Sequence, residues 1–155
     1  MRVRVIAVGT RMPVWVRSAC EDYLRRLRPT LAVAFTEIES AKRRGRDAAA
    51  AIAAEGRQLL GALASGEHVV ALDERGRELT TRELAGWLGR RLQQGEDLAF
   101  VIGGPDGLAP EVLARSDFTL ALSRLTLPHA LARVLLAEQL YRAHSILTGH
   151  PYHRD

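Results

Sequence analysis

Three stretches carry residue types that could do chemistry: IGGPDGL at 102–108, LSRLTLPH at 122–129 and the polar ending HPYHRD at 150–155. In the first, Gly103 and Gly104 let a backbone approach a ligand with no side chain intervening, and their amides can donate to it. An ordinary tight turn uses the same glycine pair. The pattern is neither G-x-G-x-x-G nor G-x-x-x-x-G-K-[ST], which argues against a dinucleotide or ATP site. In the ending, Tyr152 can stack, His153 can carry a proton near neutral pH, and the fork of Arg154 suits a phosphate. That set is fit for handling a nucleotide; a frayed terminus is the alternative. His129 and His144 are lone histidines, and His144 reads as structural.

The surrounding elements must hold these residues in place. The apolar run at 3–8 reads as a buried strand, and after Pro13 apolar residues recur every three or four positions, as in an amphipathic helix ended by Pro29. A strand is expected at 31–38. The alanine-rich stretch from Asp47 to about Ala64 favours helix. A third strand at 68–72 ends on Asp73, and Thr80 with Glu83 makes a capping box for a helix running to about Gln94. Strands at 98–102 and 118–122, a short helix opened by Pro110 and a last helix from Ala130 to about Thr148 complete the alternation. Such a pattern predicts an α/β fold, a mainly parallel sheet with helices on both faces, with the site outside the carboxyl ends of the strands. The ends at Leu72 and Asp73, at 103–107 and at 122–129 could then line one pocket.

The chain has 155 residues, 47% of them hydrophobic, enough for one domain and one core. Only 5% are aromatic, so Ala, Val, Leu and Ile must fill that core. A formal charge of +4 favours an anionic partner. Lys42, Arg43, Arg44 and Arg46, with Arg25, Arg26 and Arg28, could neutralise RNA phosphates, with Lys42 to Arg46 in an exposed basic loop; solvated surface is the plainer alternative. Cys20 has no partner for an internal disulfide, no cluster has the spacing of a metal site, and no apolar run could span a bilayer. A cytoplasmic protein without metal or membrane attachment is expected. The last helix is apolar around most of its circumference, through Leu131, Val134, Leu135, Leu136, Leu140, Tyr141, Ile146 and Leu147. Burial by a second copy is one solution and predicts a homodimer; cover by the sheet and tail of the same chain is the other. Glu138 and Arg142 are four apart and may simply pair.

Ala7 to Thr10, Leu72 with Asp73, IGGPDG, LTLPH at 125–129, EQLYRA at 138–143 and PYHR at 151–154 together resemble the ribosomal RNA large-subunit methyltransferase H family, a group of SPOUT methyltransferases. The resemblance spans essentially the full length in order and spacing. It implies transfer of a methyl group from S-adenosyl-L-methionine to N3 of a pseudouridine in 23S ribosomal RNA of the assembled ribosome. It also implies a C-terminal trefoil knot and a homodimer in which the tail of one subunit completes the pocket of the other. By the same resemblance, Leu72, Gly103, Gly104, Leu122, Ser123, Arg124, Leu125, Thr126 and Leu127 would hold the cofactor. His153 would accept or orient a proton, Arg154 bind phosphate or the developing oxyanion, and Tyr152 stack on the base, with Arg142 a further catalytic candidate. Two departures are Asp106 in place of a glutamate and Ala109 where a polar cap is common. Outside the resemblance, two rivals stand: a non-catalytic RNA- or ribosome-binding module, and another α/β enzyme using a nucleotide at the glycine turn.

Overall fold

The run VRVIAV forms β1 (Val3–Val8), and its alternate residues enter two different cores. Val3, Val5 and Ala7 face one helical layer while Ile6 and Val8 face another, which is why the strand has no polar side. The computed structural model describes residues 1–43 and 47–154, so Arg44 and Arg46 of the basic run lie outside the described residues. Five strands pair in the order β2-β1-β4-β3-β5, and every pairing between them is parallel. They are β1, β2 (Val33–Ile38), β3 (His68–Glu78), β4 (Leu98–Ile102) and β5 (Phe118–Ala121). Leu98, Ala99, Phe100 and Val101 of the central β4 are fully buried, as a strand covered on both faces requires.

One face carries α1 (Val14–Leu27), α3 (Thr81–Gln94) and α5 (His129–Thr148), and the other α2 (Ala48–Ala62) and α4 (Pro110–Arg115). The capping box predicted at Thr80 is present: its hydroxyl accepts from the Glu83 amide, and the Glu83 carboxylate accepts from the Thr80 amide. Asp47 caps α2 by accepting from the Ala49 amide. Such caps each stabilise a helix by about 1 kcal/mol. Helix α2 lies close to the start of α4, because a Cβ on Gly56 would sit 2.7 Å from that of Ala109. That contact gives Ala109 its small size, since no larger cap would fit.

One expectation is corrected. Strand β3 continues past Leu72 to Glu78: residues 73–76 bulge out, and pairing with β5 resumes with Arg77 opposite Leu120. Helix α5 packs between α1 and α3 of its own chain, with Leu136, Ala137, Leu140 and Ala143 buried and Leu131, Val134, Leu135, Tyr141 and Ile146 only partly so. Its apolar circumference therefore does not by itself demand a partner. The buried Arg133 on α5 crosses to the end of β1, where it donates to the carbonyls of Val8 and Gly9 at 2.8 and 2.7 Å and pairs with Glu37 at 2.6 Å.

Candidate functional site

The carboxyl ends of three adjacent strands, β4, β3 and β5, open into one cavity of about 580 Å³, a volume suited to a small-molecule cofactor. Leu72, Gly103, Gly104, Leu122, Ser123, Leu125, Thr126 and Leu127 line it, and so do Asp73, His129 and Ala132. Of the nine residues expected at the cofactor, only Arg124 is absent from the wall; its side chain is 87% exposed and lies 4.0 Å from Glu78.

Each wall has a local cause. The glycine turn is closed by a hydrogen bond from the Gly107 amide to the Gly104 carbonyl at 3.1 Å, and Gly107 has a φ of +85°. A Cβ at Gly103 would meet the Gly107 carbonyl at 2.7 Å, so only glycine permits this turn. The loop after β5 is tied to the bulge of β3 by Thr126, whose hydroxyl donates to Glu74 at 3.0 Å, and is braced by the Leu125 amide donating to Ser123 Oγ at 2.9 Å.

Electrostatically the wall is mixed. The Arg75 guanidinium and amide both donate to Asp73, whose pKa is held below the usual carboxylate value by that side chain, so a fixed negative charge stands at the end of β3. Burial, helped by the nearby Arg133, pushes His129 down, so the imidazole on the opposite wall is neutral at physiological pH. Apolar side chains, the glycine-turn backbone and an ionised carboxylate form a lining that fits a ligand with a flat apolar ring, polar edges and a positive centre. Among the described residues no cluster could hold a metal ion.

The tail stands elsewhere. Tyr152 folds back onto α5, its ring centroid 4.5 Å from that of Tyr141, and its hydroxyl donates to Glu138 at 3.1 Å. Burial first, then hydrogen bonding to Tyr23 and the charge of Glu138, push the Tyr152 hydroxyl up to about 12. Arg142 pairs with Glu138 at 2.6 Å, as its spacing suggested, and lies 4.8 Å from the Tyr152 ring centroid. It also reaches His153 Nδ1 at 3.4 Å. A guanidinium can only donate, so in this arrangement Nδ1 accepts and Nε2 carries the proton. His153 is thus set as a donor until Arg142 withdraws. Arg154 is exposed.

The candidates therefore form two groups. His129 opens α5 at the cavity, and Arg142 follows thirteen residues later, about 20 Å along the axis at 1.5 Å per residue. No described residue of the tail lines the cavity.

The basic clusters are less free than their sequence suggests. Arg25 and Arg26 both pair with Asp22, at 2.6 and 2.8 Å. Arg43 is half-buried between Glu55 and Asp106, which corrects the reading of that loop as wholly exposed. A second cavity, also about 580 Å³, lies along α3 and β5 and gathers Arg77, Arg82, Arg90 and Arg91 around Trp87 and Phe118. Sequence reading missed this groove because its arginines fall on two elements that only the β3–α3 connection brings together. It contains neither the glycine turn nor the loop at 122–127.

The chain is similar to proteins of one family throughout its length. The family described as "Predicted SPOUT methyltransferase" matches residues 1–153. The chain is 53% identical to the ribosomal RNA large subunit methyltransferase H of Thiobacillus denitrificans, covering all of both chains. It is 50% identical to the protein of the same name in Burkholderia vietnamiensis, covering 99% of each. Its fold is similar to that of a "Probable Methyltransferase" from Bordetella pertussis Tohama I, with a TM-score of 0.58 and 24% identity over 92% of this chain and 95% of that one. It also resembles a Legionella pneumophila methyltransferase structure with the cofactor SAM bound, at a TM-score of 0.51 and 10% identity, covering 93% and 66%.

Proposed function

The chain belongs to the SPOUT methyltransferase family, and on that premise we propose that it transfers a methyl group from S-adenosylmethionine to N3 of a pseudouridine in 23S ribosomal RNA of the large subunit, acting on the assembled ribosome. The full-length identity to relatives named for ribosomal RNA methylation carries this reading. The whole stretch 1–155 acts as a single methyltransferase domain, cytoplasmic and independent of metal. No described helix is long and apolar enough to cross a membrane. The trefoil knot of the family belongs to the same reading, with the loop at 122–127 packed beside the glycine turn in its support.

When bound, the cofactor supplies a methyl carbon on a cationic sulfur, open to attack by a nitrogen lone pair. Leu72, Gly103, Gly104 and the loop residues Leu122, Ser123, Leu125, Thr126 and Leu127 would hold it, with Arg124 turned away and Asp73 providing the complementary charge. Because the charge at sulfur disappears as the methyl moves, the residues gain most by fixing an in-line geometry. The imide N3 attacks well only after losing its proton, so a cation beside the ring favours the anion. Arg142 and Arg154 serve that purpose, Tyr152 stacks on the base, and His153 orients it or takes the proton once Nδ1 is released from Arg142.

A homodimer joins the two groups. The separation of cavity and tail along α5 supports it, since the tail of another copy would complete the site that the chain's own tail leaves open. Val14 and Trp15, 68% and 57% exposed at the start of α1, leave apolar surface at the cavity end of the sheet. The deciding experiment incubates the protein with labelled methyl donor and ribosomes from a strain lacking this activity, then maps the labelled nucleoside by mass. N3-methylpseudouridine is expected; label on another nucleoside, or none, overturns the assignment. A non-catalytic RNA-binding chain would bind ribosomes yet give no calorimetric heat with S-adenosylmethionine.

A further inference from the structure

Arg43 joins three pieces of chain that are distant in sequence. Its Nη1 donates to Glu55 Oε2 at 2.8 Å and to the Ala41 carbonyl at 2.9 Å, while its Nε donates to Asp106 Oδ2 at 2.8 Å. Glu55, on α2, is 2% exposed, and it also accepts from the Ala41 amide at 3.0 Å and from Ser40 Oγ at 3.2 Å. Asp106 belongs to the glycine turn and lines the cavity. The same carboxylate backs the turn directly, since a Cβ on Gly104 would come within 3.2 Å of Glu55 Oε1. A buried carboxylate needs a paired cation, so Glu55 fixes where Arg43 must lie. Arg43 then fixes Asp106, and with it the turn that lines the cavity.

We infer that Arg43, anchored on Glu55, is a positioning residue that holds the Gly103–Gly107 turn in its cofactor-binding shape through Asp106. This rests on the methyltransferase reading only for the identity of the ligand. The clamp acts by organising the turn before the ligand arrives, so its loss weakens binding more than the chemical step. Arg43 and Asp106 sit outside the reaction itself and touch no reacting atom.

The test compares Asp106→Asn, Arg43→Met, Arg43→Lys and the Asp106→Asn/Arg43→Met double variant in the full chain. Calorimetry gives the affinity for S-adenosylmethionine, steady-state methylation separates KM from kcat, and hydrogen exchange follows the amides at 103–108. Each single neutral variant should weaken the donor about five-fold and raise its KM alike, with kcat changed by less than about two-fold. The double variant should be no weaker than Arg43→Met, and Arg43→Lys should recover part of the loss. Turn amides should exchange faster in Asp106→Asn. Asp106 is 40% exposed, so that variant folds even if removing Arg43 from beside Glu55 does not. Wild-type affinity and exchange in Asp106→Asn, or additive losses in the double variant, overturn the inference. Should the unaltered protein bind no S-adenosylmethionine, the proposed function fails, and the exchange measurement still decides the clamp.

Discussion

Tyr152 and Glu138 are joined across the end of the chain: the tyrosine hydroxyl donates to the carboxylate at 3.1 Å, on a residue fourteen positions earlier in α5. The contact turns the tail back along the helix and stacks its ring beneath the Arg142 guanidinium. Tail geometry is therefore preset by the helix that carries it.

That contact has a pH signature. The Tyr152 hydroxyl ionises near pH 12 in the folded protein against 10.0 for an ordinary tyrosine, so the native state retains a proton the unfolded chain loses. Its contribution is complete below about pH 10 and disappears as pH rises toward 12. Phenolate absorbance of the wild type minus that of Tyr152→Phe should show one late-titrating tyrosine. A difference curve centred at 10 would mean that the tail is undocked.

Cavity and tail should fail separately. His153→Ala should leave donor affinity unchanged while lowering kcat, and Ala132→Trp, whose indole would fill the cavity, should abolish donor binding. If the tail works on the cavity of another copy, mixing the two inactive proteins under exchanging conditions restores about a quarter of wild-type activity, because half the dimers are mixed and each has one whole site of two. No recovery would place both groups in one subunit.

The two turn glycines should differ. Gly103→Ala pushes a Cβ into backbone 2.7 Å away and should cost about 1–3 kcal/mol, with donor affinity falling alongside. Gly104→Ala meets no backbone, only Val8 Cγ1 and Glu55 Oε1 at 3.2 Å, and should cost less. Urea unfolding and calorimetry on both would expose an equal effect, which this geometry forbids.

Arg133 should be the more demanding half of its ion pair. Arg133→Met strands the buried carbonyls of Val8 and Gly9 and should cost about 3 kcal/mol. Glu37→Gln, at a position one-third exposed, should cost no more than about 1 kcal/mol. Chemical denaturation at neutral pH ranks the two.

Acid should act through buried histidines. Among the described residues neither ring nitrogen of His144 has a hydrogen-bond partner, and burial holds its pKa below the usual value. Below about pH 6.5 the unfolded chain takes up a proton that the folded one refuses, so stability present above that pH declines as acid is added. The slope cannot exceed about 1.4 kcal/mol per pH unit for each such histidine. His144→Leu should flatten it; His68 and His129, shifted the same way, account for what remains.

Most elements were legible because their periodicity is local: VRVIAV, LAFVI and the Thr80 capping box announce themselves within a few residues. The three strand ends that form the cavity were legible for the same reason, since a parallel sheet places them together. Where partners are remote, the sequence is silent. Arg43 looks like surface charge beside Lys42, and nothing local reveals that Asp106, 63 residues on, shares it with Glu55. DERGRE looks like a turn, and becomes strand only because Arg77 and Glu78 find β5. The circumference of α5 signalled burial correctly but not by what, because two helices on one chain satisfy the same pattern as a partner would.

The cavity wall formed by β5 and residues 122–129 comes from the last quarter of the polypeptide. During synthesis, a nascent chain halted at residue 117 would possess four strands and the glycine turn while lacking that wall altogether. Such a fragment has nowhere to lodge a nucleoside. The binding site is thus completed late along the chain, by the last strand and the loop that leads into α5.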